Sequence, residues 1–283
     1  MKPHIFRMAL RGFLGLELIP GTMALLVAEN GCCPTCGEAL HSPLLDHWTV
    51  FQHLAGCGTG GWWQRNANAI TWAVSECYHD VGVQGNTETL GLSETSSHRP
   101  GDFVSNPLST PAEFNAGGNE RHAVDTTICY VSGPSLQDCQ TGPQQRQVNL
   151  AEGKKLTKLN KEVQDGARSA LPAGYRFIPA GITSRGVIGE GLEKLLGWLA
   201  DYGAKNRGVL TYLGEEGATV RALLMERWTQ RLSMAINRTT MEAVWFRVLD
   251  IQAAARVRHG GRGALTGIDI RFGGGGEGMI GDG

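Results

Sequence analysis

Apolar positions recur at helical intervals in four stretches of the chain. Residues 5–26 carry Phe6, Leu10, Phe13, Leu14 and Leu16, which predicts a short helix ended by Pro20-Gly21. Residues 62–79 place Trp62, Ile70, Trp72, Ala73, Val74 and Cys77 near one face, and a second long helix is expected there. Residues 190–202 align Leu192, Leu195, Leu196 and Leu199, and residues 220–236 align Leu224, Trp228, Leu232 and Ala235. These faces read as core.

Between the helices lie short runs with the composition of strands, at residues 81–83, 87–92, 102–105 and 123–131, punctuated by Gly, Pro, Asn and Ser. Val124-Asp125-Thr126-Thr127-Ile128-Cys129-Tyr130-Val131 is the strongest of them, because β-branched residues pack well on a pleated surface, and its apolar density predicts a central position. A glutamine-rich loop is expected over residues 137–147, a basic helix over 150–168 and another strand over 175–180. The pattern defines an α/β chain with a mixed central sheet flanked by helices. From residue 260 onward the glycines, with the run 273–276, argue against a packed element.

Composition changes this picture little. The 283 residues are 41% hydrophobic and 19% charged, an ordinary profile apart from forty glycines. The net charge of -1 conceals a basic segment in which Arg256, Arg258, His259, Arg262 and Arg271 face one acid, Asp269, which suggests contact with a polyanion. Arg7, Arg11 and Glu17 break the first apolar run, so no secretory leader is read there. Seven cysteines is an odd number, and reduced thiols in an intracellular protein, nuclear or cytoplasmic, are expected. No run approaches the roughly twenty apolar residues of a membrane span.

The chemistry concentrates in two places. Cys33-Pro34-Thr35-Cys36, a spacer of sixteen residues and His53-Leu54-Ala55-Gly56-Cys57 offer three thiolates and an imidazole, the closed tetrahedral shell of structural zinc. C-x2-C lets one tight turn present both sulfurs, Gly37 suits that turn because it tolerates positive φ, and H-x3-C sets two ligands one helical turn apart. Cys32 lies beside the pair and could exchange roles with Cys33.

Further on, Asp102 in His98-Arg99-Pro100-Gly101-Asp102 sits where a turn enters a strand, and Asp125 opens the strongest strand. If those strands pair, the two carboxylates can meet one magnesium ion, as hydrolysis of a phosphodiester requires. Glu88 is a third candidate, with Glu94 its alternative. The cation that stabilises the developing charge would be Lys155, with Lys154, Lys158 and Lys161 nearby.

Taken together, C-P-T-C-G, H-L-A-G-C-G-T-G-G, R-P-G-D, A-V-D-T-T-I, the lysine-rich helix and F-I-P-A-G-I-T-S-R-G resemble the C-terminal portion of reverse transcriptase polyproteins from non-LTR retrotransposons, over about residues 6–236. The resemblance implies a zinc knuckle followed by a restriction-endonuclease-like domain. Carried over by position, Asp102 and Asp125 hold the catalytic metal and Lys155 completes the site. Leu159 stands where the family helix often has a tyrosine, Arg65-Asn66-Ala67 replaces R-H-N, and Thr127 occupies the strand position of the generic nuclease lysine. No paired polymerase aspartates are present, so the resemblance is to a detached or decayed C-terminal piece.

The organisation implied is a helical lead and knuckle over residues 1–60, the nuclease-like domain over 61–205, a C-terminal helical region over 206–258 and a glycine-rich tail over 259–283. The function implied is nicking of target DNA for a retroelement, with zinc structural, magnesium catalytic, and DNA and possibly RNA as partners. No membrane and no small-molecule substrate are expected. The competing expectation is a remnant that binds nucleic acid through its zinc module without cutting it.

Overall fold

The computed structural model describes residues 2–13, 19, 21–28, 31–41, 47–57, 59, 61–87, 101–109, 119–129, 143–166, 170–205 and 217–258. They form seven helices and five strands: α1 (Pro3–Phe13), α2 (Thr22–Ala28), α3 (His47–Gly56), α4 (Trp62–Asp80), β1 (Gly85–Thr87), β2 (Phe103–Ser105), β3 (Leu108–Ser109), β4 (Asn119–Cys129), α5 (Pro143–Gln164), β5 (Tyr175–Thr183), α6 (Glu190–Lys205) and α7 (Gly217–Arg258). The chain divides into two compact units. One holds residues 1–60 and 241–283, and the other holds residues 61–240.

The second unit is α/β, with a mixed sheet in its middle. β1 pairs antiparallel with β2, β2 with β4, and β3 with the start of β4. β4 and β5 are parallel over nine residue pairs, from Arg121 opposite Tyr175 to Cys129 opposite Thr183. Alternation along β4 and β5 sorts the side chains between two layers. Val124, Ala180 and Ile182 join Phe103 and the buried faces of α4, α6 and the first part of α7, with Trp228 fully buried among them. The opposite face receives α5, whose Val148 and Glu152 lie against Gly181.

Several expected boundaries move. Residues 81–83 are not a strand: Val81 caps α4 and Gly82 turns the chain at φ 79°. Residues 143–147, read as loop, are the first turns of α5, opened by Pro143, a residue pre-set for that position. A second helix, α2, follows Gly21 where only one was read in the lead. The helix expected over 220–236 runs on to Arg258, because residues beyond Thr240 bury Val244, Val248 and Ile251 in the first unit. Residues 88–100, with Glu88 and Glu94, and residues 259–283, with most of the basic segment, lie outside the described residues.

The first unit is helical around the cysteine turn. Ile5 and Met8 of α1, Leu26 of α2, Val50 and Leu54 of α3, and Val244 and Val248 of α7 are all buried. Among the described residues, no helix is long and apolar enough to cross a membrane.

A thiol–imidazole cluster and a carboxylate–lysine corner

In the first unit the C-x2-C turn is closed by backbone bonds from Gly37 N to Cys33 O (2.9 Å) and from Cys33 N to Glu38 O (2.7 Å). Gly37 has φ 77°, as the turn demands. His53 rides on the last turn of α3, and Cys57 stands just past its end, with Cys57 N still bonded to His53 O at 2.8 Å. The ligand atoms of Cys33, Cys36, His53 and Cys57 therefore converge, all within 4.8 Å of one another. Cys33 Sγ is 3.9 Å from Cys57 Sγ, and Cys36 Sγ is 3.3 Å from His53 Nε2. A tetrahedral zinc with sulfurs at about 2.3 Å separates its ligands by about 3.8 Å, so this set can hold a zinc ion with small adjustments. Cys32 is exposed and outside the cluster, which places Cys33 in the shell.

The surroundings suit a cation. Glu38 Oε2 lies 3.2 Å from His53 Nδ1, so the ring donates there and leaves Nε2 aimed at the sulfurs. Burial raises the Cys57 thiol, but the Thr35 hydroxyl, the Thr59 backbone and the neighbouring cysteines outweigh it and bring it down to about 7. The Glu38 backbone pulls Cys36 down, yet slight desolvation of this exposed thiol and its contacts with Cys33 and Cys57 leave it raised. Thiolates this close repel one another, and a bound metal removes that penalty.

Arg247 completes the centre from α7 and was not among the residues expected there. Its buried guanidinium donates to Leu54 O, to Cys57 O at 3.2 Å and to Thr59 O at 3.1 Å, the carbonyls that end α3 and lead out of Cys57. Arginine is ordinarily a surface residue. The one sequence signal was its place inside the apolar run Ala243-Val244-Trp245-Phe246-Arg247-Val248-Leu249.

The second unit gathers three of the other predicted residues around Thr126. The β2–β4 register sets Asp102 just ahead of the ladder, with Asp102 N bonded to Val124 O at 2.7 Å. Asp102 Oδ2 accepts from Thr126 N (2.8 Å) and from Thr126 Oγ1 (2.6 Å). Lys155 Nζ reaches across from α5 to Asp125 Oδ1 (2.7 Å) and to Thr126 O (3.3 Å). One residue thus touches the turn acid through its amide and hydroxyl and the lysine through its carbonyl. Thr126 was not foreseen, and only its position next to Asp125 could have suggested it. The hydroxyl of Thr126 is held in turn by Thr71 of α4 at 2.9 Å.

Lys154, Lys158 and Lys161, the alternative cations, are exposed on α5 and do not share this corner. Glu152 of the same helix points inward. Its carboxylate, raised by burial despite three amide donors, accepts from Gly181 N, Gly191 N and Leu192 N at 2.7, 2.8 and 3.2 Å, and so fixes α5 to β5 and to the start of α6. Comparison of the chain with protein-family models, with curated proteins and with solved structures finds no match.

Proposed function

We propose that this chain is a metal-dependent DNA endonuclease module of the retroelement type, with a zinc-built first unit and a restriction-endonuclease-like second unit. The observation that carries the reading is the link through Thr126, whose amide and hydroxyl hold Asp102 beside Thr71 of α4 and whose carbonyl receives the Lys155 that holds Asp125 on the α5 side. Two carboxylates and a lysine are the residue types that would hold a magnesium ion against a scissile phosphate. That ion, when bound, supplies Lewis-acid polarisation of the phosphoryl oxygens.

The chain's own residues do the rest. Thr126 fixes Asp102 by two bonds to one oxygen, so its carboxylate is oriented before substrate arrives. Lys155, drawn to Asp125, is a cation placed to neutralise negative charge developing on the phosphate or to orient the attacking water. The zinc ion belongs to Cys33, Cys36, His53 and Cys57 and is structural, because all four positions of its shell are filled by protein. DNA is the expected partner, with RNA second.

The test is nicking of supercoiled plasmid by zinc-loaded protein in magnesium. Wild type should relax the plasmid, and Asp125→Ala should lose at least a hundredfold in rate with its zinc content unchanged. Equal nicking by the variant overturns the site. A wild type that binds DNA and leaves it intact points to the second reading, a binding remnant, which Leu159 and Thr127 favour by standing where the nuclease pattern has functional side chains.

A further inference from the structure

We infer that the outward face of α5 is a seat for the phosphate backbone of duplex DNA, an inference that rests on the endonuclease reading and names where its substrate lies. An open groove of about 930 Å³ runs along this face, bordered by Arg146, Leu150, Gly153, Lys154, Lys158 and Lys161. Steps of three and four residues keep these positions on one side of the helix. Arg146 to Lys161 covers fifteen helical steps, about 22 Å, the length of about six nucleotides of one strand.

Two observations set this face apart from an ordinary solvated helix. The first is charge. On α6 the exposed Lys194 is paired with Glu190 one turn away, at 2.5 Å. On α5, Lys158 has Glu162 at 3.7 Å, but Arg146, Lys154 and Lys161 have no ion pair among the described residues. The second is Gly153, in the middle of a 22-residue helix, where glycine costs about 1 kcal/mol relative to alanine. A Cβ built there meets nothing within 4 Å among the described residues, so none of them requires the gap. A bare stretch of helix between cations lets another backbone come close.

The face also borders the carboxylate corner. Lys155, which holds Asp125, is three residues before Lys158 and therefore its neighbour on the helix surface. A strand seated on the groove would run past the Lys155–Asp125 pair.

Fluorescence anisotropy of a 20-base-pair duplex, titrated with full-length zinc-loaded protein at several salt concentrations, tests the inference. The triple variant Arg146→Ala, Lys154→Ala, Lys161→Ala should bind at least tenfold more weakly, and its salt slope should fall by about 2.7, which is 0.9 for each of three lost phosphate contacts. Gly153→Phe, which leaves charge untouched, should weaken binding several-fold by filling the groove. Circular dichroism and zinc content check that both variants fold. A triple variant that binds within twofold of wild type with the same slope overturns the inference, even if wild type nicks DNA. If the triple variant loses binding while wild type never nicks, the groove stands and the endonuclease reading falls.

Discussion

The two candidate centres solve opposite problems of assembly. The thiol–imidazole cluster draws its four ligands from one 25-residue stretch, Cys33 through Cys57, held by a turn and the end of a short helix. The carboxylate–lysine corner draws on β4, α5 and the residue ahead of β2, and it is knit together without any metal by Thr126 and by the Lys155–Asp125 pair. Its unit has an extensive buried core of aliphatic and aromatic side chains. The contrast teaches that the first unit's centre is shaped as a metal ion could organise it, whereas the corner of the second is held by its own hydrogen bonds and ion pair.

Chelation breaks this comparison most sharply. Structural zinc commonly supplies about 10 kcal/mol or more of folding free energy. Removing it should therefore abolish hydrogen-exchange protection in α3, while the amides of β4 and β5 keep theirs. Uniform loss in both units, or none in α3, contradicts the division. Next in size is Arg247→Met. It strips donors from three carbonyls beside Cys57 and should cost roughly 3–5 kcal/mol in urea unfolding of the first unit. Zinc affinity, followed by competition with a chromogenic chelator, should fall about tenfold. An unchanged affinity would separate Arg247 from the metal centre.

The second unit has its own sensitivity, to acid. His122 of β4 is buried against the Tyr78 hydroxyl at 2.8 Å and edge-on to Trp198. Burial, with a smaller push from Arg176, lowers it from 6.5 to about 4. The unfolded chain thus binds a proton that the folded chain refuses. The stability this represents is fully present above pH 6.5 and is lost as pH falls toward 4, a decline of roughly 3 kcal/mol. In His122→Asn, which keeps an acceptor for Tyr78, that slope should flatten between pH 6.5 and 4 in chemical unfolding followed at the second unit. Persistence of the full slope assigns it elsewhere. The smallest effect belongs to Cys32→Ser. One zinc per chain should remain by elemental analysis, whereas the same change at Cys33 should release it.

What could be read in advance follows the same contrast. The thiol–imidazole cluster was legible because its side chains are neighbours in sequence and their spacing is the geometry. β4 was legible because β-branched residues leave few alternatives. The full length of α7 was not. Its apolar positions serve one unit up to Thr240 and the other beyond, so no single face persists along its 42 residues. The start of α5 was hidden by its glutamines. Gln144 is nonetheless buried beside Thr183, and Gln145 bonds Ile188 O at 2.9 Å, so polar side chains do the anchoring that apolar periodicity would have advertised. Asp102, Asp125 and Lys155 could be named, but Thr126 as the link between them could not, because its role depends on strand register and helix placement together.

Thr126 has a consequence for the traffic of single protons. Each of the hydroxyls of Thr71 and Thr126 carries one hydrogen, yet Thr71 Oγ1 lies within reach of both Ala67 O, at 3.0 Å, and Thr126 Oγ1. While Thr126 donates to Asp102, Thr71 can turn its own hydrogen to either oxygen. Were a cation to claim Asp102 Oδ2, that acceptor would be lost, and the Thr126 hydrogen would be free to turn toward Thr71, leaving the Thr71 hydrogen to Ala67 of α4. The orientation of two buried hydroxyls would then register, inside the helix layer, whether the edge of the sheet is occupied.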